Sequence, residues 1–456
     1  MPRSVPLNRV KLFTAWGASP PGCLEAADRQ RTGISGVRMI MKLSACAMAL
    51  AALLLTTAQS RGQTRAEAGV PWPEAVRDVA APEQMLRAAA AFPNSAGMQR
   101  RRLGFALQTG DREMALDALR RLAAMGAVLS ASAQAQAARL VGEREMAPLS
   151  QRMAMNARPL AASRIAAEIP AAHHLVEGII WDEGRHRLYL TTVVDRALLL
   201  LGRDGAAAVA ARAPASLFGG AYDPVRRLLW IASGQAEPTP RDGPAFAGLV
   251  TIDPLHPVEV RPIPAPEGAH ATPGDVAVGR DGSVYASDGL NGALYRCRPG
   301  CAALEILLPP GTLFSAQGLA FSRDRRLLYI ADRRYGLAAL EIASGRLLRV
   351  RGRAEMMLDG IDGLVAHGRT LIATQTAYAP ARIIRLRLSR DGLAVTRLDV
   401  LERANPAWGE ITLATVAGNR LLYVADAQWE RYGEGGIPNP QMPARPTAIR
   451  SLALPR

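Results

Sequence analysis

One phrase returns along the C-terminal two-thirds of this chain, and its return constrains the fold more than any other feature. Its clearest copy is QGLAFSRDRRLLYIAD, Gln317 to Asp332. A Gly opens a short apolar run, a polar turn follows, and a second apolar run carrying a Tyr ends on Asp. Related copies are EGIIWDEGRHRLYLT from Glu177, GGAYDPVRRLLWIAS from Gly219, GDVAVGRDGSVYASD from Gly274, DGLVAHGRTLIATQ from Asp362 and, more loosely, GEITLATVAGNRLLYVAD from Gly409. The anchors of the second run are Tyr189, Trp230, Tyr285, Tyr329, Ile372 and Tyr423, spaced 41, 55, 44, 43 and 51 residues apart. Self-similarity at about 40–50 residues with several strands per unit predicts a β-propeller, here of six blades.

Each unit is expected to give a first strand after its Gly, a second with the aromatic residue, then a third and usually a fourth. The chain ends on a third-strand pattern, Thr447–Leu454, with nothing after it. Ser163–Ile169, ahead of the first blade, is the expected fourth strand; closing the ring this way removes open sheet edges. Two Pro- and Gly-rich insertions, Gln235–Phe246 and Arg431–Arg445, fall at the same place in blades two and six and are read as lips over one face.

The expected organisation is mainly β, with a small α-helical domain ahead of the propeller. Residues 1–38 show no periodicity and read as a spurious or disordered extension. Residues 39–60 read as a cleaved export signal: Met41-Lys42, the Ala/Leu run Leu43–Thr57, then the small residues Ala58-Gln59-Ser60. That run is too short to span a bilayer, which takes about 20 apolar residues. A periplasmic or secreted location follows. Residues 71–158 read as helical, with Asn94-Ser95 and Asp111 at capping positions and further helical segments over Ser130–Val141 and Glu143–Met155. The helix–Gly–helix pattern around Gly110 resembles a degenerate tetratricopeptide repeat. It is either a docking module for a protein partner or a cap packed on the propeller, which occupies 160–456.

The net charge of +15 is a weak guide to partners. Residues 1–60 hold seven Lys or Arg against two acids, so their removal leaves about +10. Both lysines, Lys11 and Lys42, lie in that part. The remaining positive charge is all Arg, which argues against Schiff-base chemistry and a Lys-bearing phosphate loop. The arginines are scattered through blade turns without an aromatic-interleaved stripe, so no nucleic-acid partner is expected. Cys297 and Cys301 flank a turn, and in an exported protein they read as a hairpin disulfide.

First strands line a propeller's channel, so residues at their starts face the mouth. These are Glu177, Gly219, Gly274-Asp275, Gln317, Asp362 and Glu410. Acids and an amide converging from separate blades suit a hard cation such as Ca²⁺, which takes oxygen ligands; the other reading is a solvated channel. His174, in the pair His173-His174, is a further candidate at the mouth. Serine-hydrolase and zincin motifs are missing.

Over roughly 170–430 the chain resembles the regucalcin/gluconolactonase family of six-bladed propellers, through VEGIIWD (Val176–Asp182), AQGLAFSRDRRLLYIAD (Ala316–Asp332) and IDGLVAHGRTLIA (Ile361–Ala373). The likeness implies that Glu177 and Asp362 bind a divalent cation. Gln317 stands where the family has a metal-binding Asn, and Gly274 where a substrate-binding Asn precedes the acid matched by Asp275. Two functions are therefore expected. One is metal-assisted hydrolysis of a lactone or ester, with Glu177, Gln317 and Asp362 on Ca²⁺ or another divalent ion and Asp275 as base. The other is a non-catalytic propeller binding a small molecule at its mouth and a protein through its helices. A structural scaffold of the cell envelope is a third reading.

Overall fold

A computed structural model describes residues 69–74 and 81–455. The expectations for residues 1–38 and for the export signal fall outside the described residues. Six four-stranded antiparallel sheets are present, and their first strands neighbour one another in a closed circle. These inner strands are Val176–Asp182, Ser216–Asp223, Pro273–Val278, Ala316–Phe321, Ile361–His367 and Ala414–Ala417, in blades one to six. The sixth sheet runs, from the inside out, Ala414–Ala417, Arg420–Val424, Thr447–Ala453 and Arg164–Ile169, so the strand that precedes blade one closes the ring.

Buried Glu402 fixes that closing strand. Its Oε1 accepts the Ala162 and Ser163 backbone N–H groups, both at 3.1 Å, and the Ser163 hydroxyl at 2.8 Å. Its Oε2 accepts the Tyr423 hydroxyl at 2.9 Å.

Apolar side chains alternate to both faces of each blade and pack between neighbours. Ile180, Tyr189 and Leu198 of blade one, for example, meet Leu217, Leu229 and Ile231 of blade two. Tyr189, Tyr285, Tyr329 and Tyr423 are buried in these layers, and the Tyr329 hydroxyl donates to the Gly392 carbonyl at 2.9 Å. Asp332 ends its strand by accepting the Arg334 and Tyr335 N–H groups, both at 2.9 Å, which pins the following turn. Cys297 and Cys301 are bonded across the turn after the third strand of blade three, with Cα atoms 5.5 Å apart.

Five helices precede the propeller: α1 Pro82–Ala91, α2 Ala96–Thr109, α3 Arg112–Ala124, α4 Ala131–Val141 and α5 Glu143–Asn156. The Ser95, Asp111 and Ser130 side chains cap α2, α3 and α4. Gly110 ends α2 in the left-handed conformation, at φ 73°, where a side chain would be strained. None of the described helices is long and apolar enough to cross a membrane.

The helices pack on blades four and five at the end where the inner strands begin. Asp359, just before the inner strand of blade five, accepts the Ala96 and Gly97 N–H groups and the Ser95 hydroxyl, each at 2.9 Å. A carboxylate there meets the exposed N–H groups and positive end of α2. Phe92 stacks on Tyr335 at 4.2 Å, and Arg382 donates to the Met125 carbonyl at 3.0 Å.

Candidate functional site at the strand-start end of the channel

Five inner strands share an irregularity at their first residues. Between Val176 and Ile179, Leu217 and Gly220, Pro273 and Val276, Ala316 and Leu319, and Ile361 and Leu364, the register against the second strand shifts. These are β-bulges, which turn a side chain out of the ladder and leave a backbone N–H to be satisfied. Glu177, Asp275, Gln317 and Asp362 all sit in them. In three blades a hydroxyl on the second strand supplies the missing acceptor. Thr191 Oγ1 accepts the Gly178 N–H at 2.8 Å and donates to the Phe218 carbonyl of blade two at 2.6 Å. Thr374 repeats the relay from Gly363 at 2.8 Å to the Thr412 carbonyl of blade six at 2.7 Å. Ser287 accepts the Asp275 N–H at 3.0 Å.

The Gly after Glu177, Gln317 and Asp362 is set by close approach between blades. A Cβ on Gly318 would lie 2.5 Å from the Leu364 nitrogen of blade five. One on Gly219 would lie 2.4 Å from Asp275 Oδ1, so the carboxyl of blade three occupies the space a side chain in blade two would need.

The bulges bring the sequence candidates to one end of the channel but give them different surroundings. Glu177 Oε2 accepts the Trp429 indole N–H at 2.6 Å. Burial pushes its carboxyl up to about 8, with the indole opposing the rise and Glu410 adding to it. Glu410 accepts the Trp429 backbone N–H at 2.9 Å and is pushed up to about 7, again chiefly by burial. Asp275 Oδ2 accepts the Leu319 N–H of blade four at 2.8 Å, and burial raises it to about 7. Gln317 donates its amide to Ser315 Oγ at 2.8 Å. His174 stands aside, its backbone N–H and Nδ1 each 2.7 Å from the Asp195 carboxylate.

Asp362 is the most fully engaged of the set. Arg333, from the loop after the second strand of blade four, places Nη1 on Asp362 Oδ1. The Thr376 hydroxyl donates to Oδ2. Burial holds the Arg333 guanidinium below its ordinary value, while Tyr378, Glu410 and Glu177 act in the opposite direction. A guanidinium therefore sits among the acids that the family resemblance assigns to a divalent ion.

These residues fit a metal poorly. Both oxygens of Asp362 already have partners, Glu177 carries an indole donor, and a cation beside Asp362 would face the charge of Arg333. Among the described residues no group of three His, Cys, Asp or Glu gathers closely enough to hold a metal.

Three participants escaped the sequence reading: Arg333, Thr376 and Trp429. Trp429 lies two residues before the insertion singled out as a lip. The signal for Arg333 was its place directly after Asp332, at the end of a second strand. The two insertions meet each other: the Gly435 N–H donates to the Glu237 carbonyl at 2.9 Å, and Arg241 pairs with Glu434 at 2.9 Å.

A cavity lies at the other end of the channel. With a volume of about 790 Å³, it runs from the turns joining first to second strands, at Glu183, Val225, Arg280 and Arg323, inward to Asp275. The residues expected at the mouth are thus half-buried and hydrogen-bonded within the chain, and the cavity lies at the turn end.

No family model and no curated protein matches the chain. Among solved structures it is similar to a gluconolactonase from Xanthomonas campestris, at 18% identity over 66% of this chain and 92% of that one, TM-score 0.46. It is also similar to regucalcin, a calcium-binding protein from Agrobacterium tumefaciens, at 15% identity over 65% and 96%, TM-score 0.43. An aldose sugar dehydrogenase from Streptomyces coelicolor, in its PQQ-bound form, matches at 13% identity over 65% and 99%, TM-score 0.43. The six-bladed architecture itself rests on the strand pairing described above.

Proposed function

We propose that this protein is an exported, small-molecule-binding propeller whose ligand enters the channel from the turn end and meets Asp275 at its inner end. The observation that carries the reading is the engagement of both Asp362 oxygens by Arg333 and Thr376. The strand-start end thereby contains its own cation and its own hydrogen-bond partners. The cavity is of the size that small ligands occupy. Its wall is the unpaired edge of six inner strands, each hydrogen-bonded within its sheet on one side only. Free backbone N–H and C=O groups favour a polar, hydroxyl-rich ligand. The helical domain, with its tetratricopeptide-like pattern, is the candidate surface for a protein partner in the cell envelope.

Titration of Ca²⁺, Mn²⁺ and Zn²⁺ into the full chain tests the central point. The expected result is no saturable binding by the wild type and new binding in Arg333→Met, where Asp362 is released. Saturable wild-type binding that the Glu177→Gln/Asp362→Asn double variant abolishes would restore a Ca²⁺ or other divalent-ion site on Glu177, Gln317 and Asp362, and with it the metal-assisted reading.

Hydrolysis of a lactone or ester is a second reading, supported by Asp275, whose carboxyl titrates near neutrality at the end of the cavity. A general base is most effective with a pKa near the working pH. Asp275 would take a proton from water as the oxygen adds to the carbonyl, then return it to the departing alkoxide. A screen of lactones and esters against wild type and Asp275→Asn separates the readings: turnover lost in the variant supports hydrolysis, and ligand-induced stabilisation without turnover supports binding alone.

A further inference from the structure

A second cavity lies on the turn end, away from the channel axis. It has a volume of about 460 Å³ and sits between blades four and five. Three turns form it: Ser322–Arg326 of blade four, Gly368–Thr370 of blade five, and Ser389–Gly392, which joins the third and fourth strands of blade five. Phe321, Leu327 and Leu371 give it an apolar floor, and Tyr329 stands there with its hydroxyl held by the Gly392 carbonyl at 2.9 Å.

Four arginines and two aspartates surround the cavity: Arg323, Arg326, Arg369, Arg390, Asp324 and Asp391. Both acids are spent on their own turns. Asp324 binds Arg326 Nε at 2.8 Å and the Ser322 hydroxyl at 2.7 Å, and these bonds, Arg326 first, bring its carboxyl down to about 2. Asp391 accepts the Ser389 hydroxyl and, at 3.0 Å, the Leu393 N–H. Arg323, Arg369 and Arg390 have no ion pair among the described residues. Arg325, in the same turn as Arg323, points away from this cleft, lying over the Phe321 ring at 5.3 Å with Nη1 on the Val278 carbonyl of blade three.

Three guanidiniums from three separate turns, each without an acid, around a cavity with an apolar floor, suit a ligand with several charged oxygens on one group and an organic body behind it. A carboxylate has two oxygens and one charge and satisfies one such fork. A phosphate group has three oxygens and up to two charges, and guanidinium donors match it in paired hydrogen bonds. We infer that the cleft between blades four and five is a binding site for the phosphate group of a phosphorylated small molecule or lipid headgroup. The site lies beside the channel cavity and shares Arg323 with its rim.

The test is calorimetric titration of inorganic pyrophosphate into the full chain at an ionic strength of about 0.15 M, where exposed charges are strongly screened. We expect one saturable event, weakened about tenfold or more in Arg323→Ala/Arg369→Ala/Arg390→Ala, because each lost arginine removes a charge-assisted hydrogen bond. The control triple Arg139→Ala/Arg144→Ala/Arg152→Ala takes the same charge from the exposed faces of α4 and α5 and should bind as the wild type does. No saturable binding by the wild type, or equal weakening in both triples, would overturn the proposal by reducing the effect to net charge. Co-sedimentation with vesicles containing phosphatidic acid, whose headgroup is a phosphomonoester, separates the two sources. Sedimentation that pyrophosphate reverses identifies a lipid phosphate, and pyrophosphate binding without sedimentation identifies a free phosphorylated molecule.

Discussion

The two ends of the channel use the same residue types in opposite ways. At the strand-start end, Glu177, Glu410, Asp275, Asp362 and Arg333 are largely buried, and each has a partner within the chain. At the turn end, Arg323, Arg369 and Arg390 are exposed and lack acids. Burial is what separates the two. A charge withdrawn from water must be paired or neutralised, whereas a guanidinium left in water is stable unpaired and remains available to a ligand. The end that the sequence marks most clearly is thus the self-satisfied one, and the end that looks like scattered turn charge keeps its binding capacity.

The largest expected effect that would sharpen this contrast is on pH. Burial raises Glu177 to about 8, Glu410 and Asp275 to about 7, and Asp332 and Asp359 to about 6. Folded values above the unfolded ones mean that the folded protein holds more protons between about pH 4 and pH 8. This stability is fully present below the unfolded values and is lost as pH rises through the folded ones. Denaturant unfolding should show several kcal/mol less stability at about pH 8.5 than at about pH 5. Glu177→Gln/Asp275→Asn should flatten that dependence. A protein equally stable at both pH values would mean that the strand-start acids are solvated, and the comparison would fail.

Next in size is the Arg333–Asp362 pair. Removing one partner of a buried pair leaves an uncompensated charge, at a cost of about 3–5 kcal/mol. Arg333 keeps 29% of its side-chain surface exposed, so Arg333→Met should lie at the lower end of that range. Arg333→Met/Asp362→Asn, in which no charge is stranded, should recover most of the loss. Additive effects in the double variant would show that the two groups do not depend on each other.

Asp359→Ala should cost less, about 2 kcal/mol, because it strands the Ala96 and Gly97 N–H groups at the start of α2. Amide exchange in α2 should rise more than in the blades. Uniform exchange would mean that the helices do not depend on this contact.

How much of this was legible in the sequence follows from the kind of interaction involved. The blades were, because a strand pair packed between two neighbours must repeat its apolar runs, and the closing strand followed from a sixth unit one strand short. The outermost strand of blade one, Ala207–Arg212, was missed. Its Ala-rich sequence has no alternation because few of its side chains are buried. The bulge positions of Glu177, Gln317 and Asp362 were visible as an acid or amide before Gly. Their partners were not: Arg333 and Asp362 lie in different blades, and only the packing of loops joins them. The turn arginines read as scattered because sequence order separates what the ring brings to one face.

The smallest expected effect tests the other side of the contrast. Arg323→Ala, Arg369→Ala and Arg390→Ala, singly, should each change stability by no more than about 0.5 kcal/mol, the usual range for surface positions without special contacts. Neighbouring guanidiniums repel, and Arg325 already feels Arg280, so a slight gain in the triple variant is the expected direction, diminishing as salt is added. A loss comparable to that of Arg333→Met would mean that these arginines are structural. The turn end would then be no freer than the strand-start end, and the difference in burial would no longer explain which end stays open to a ligand.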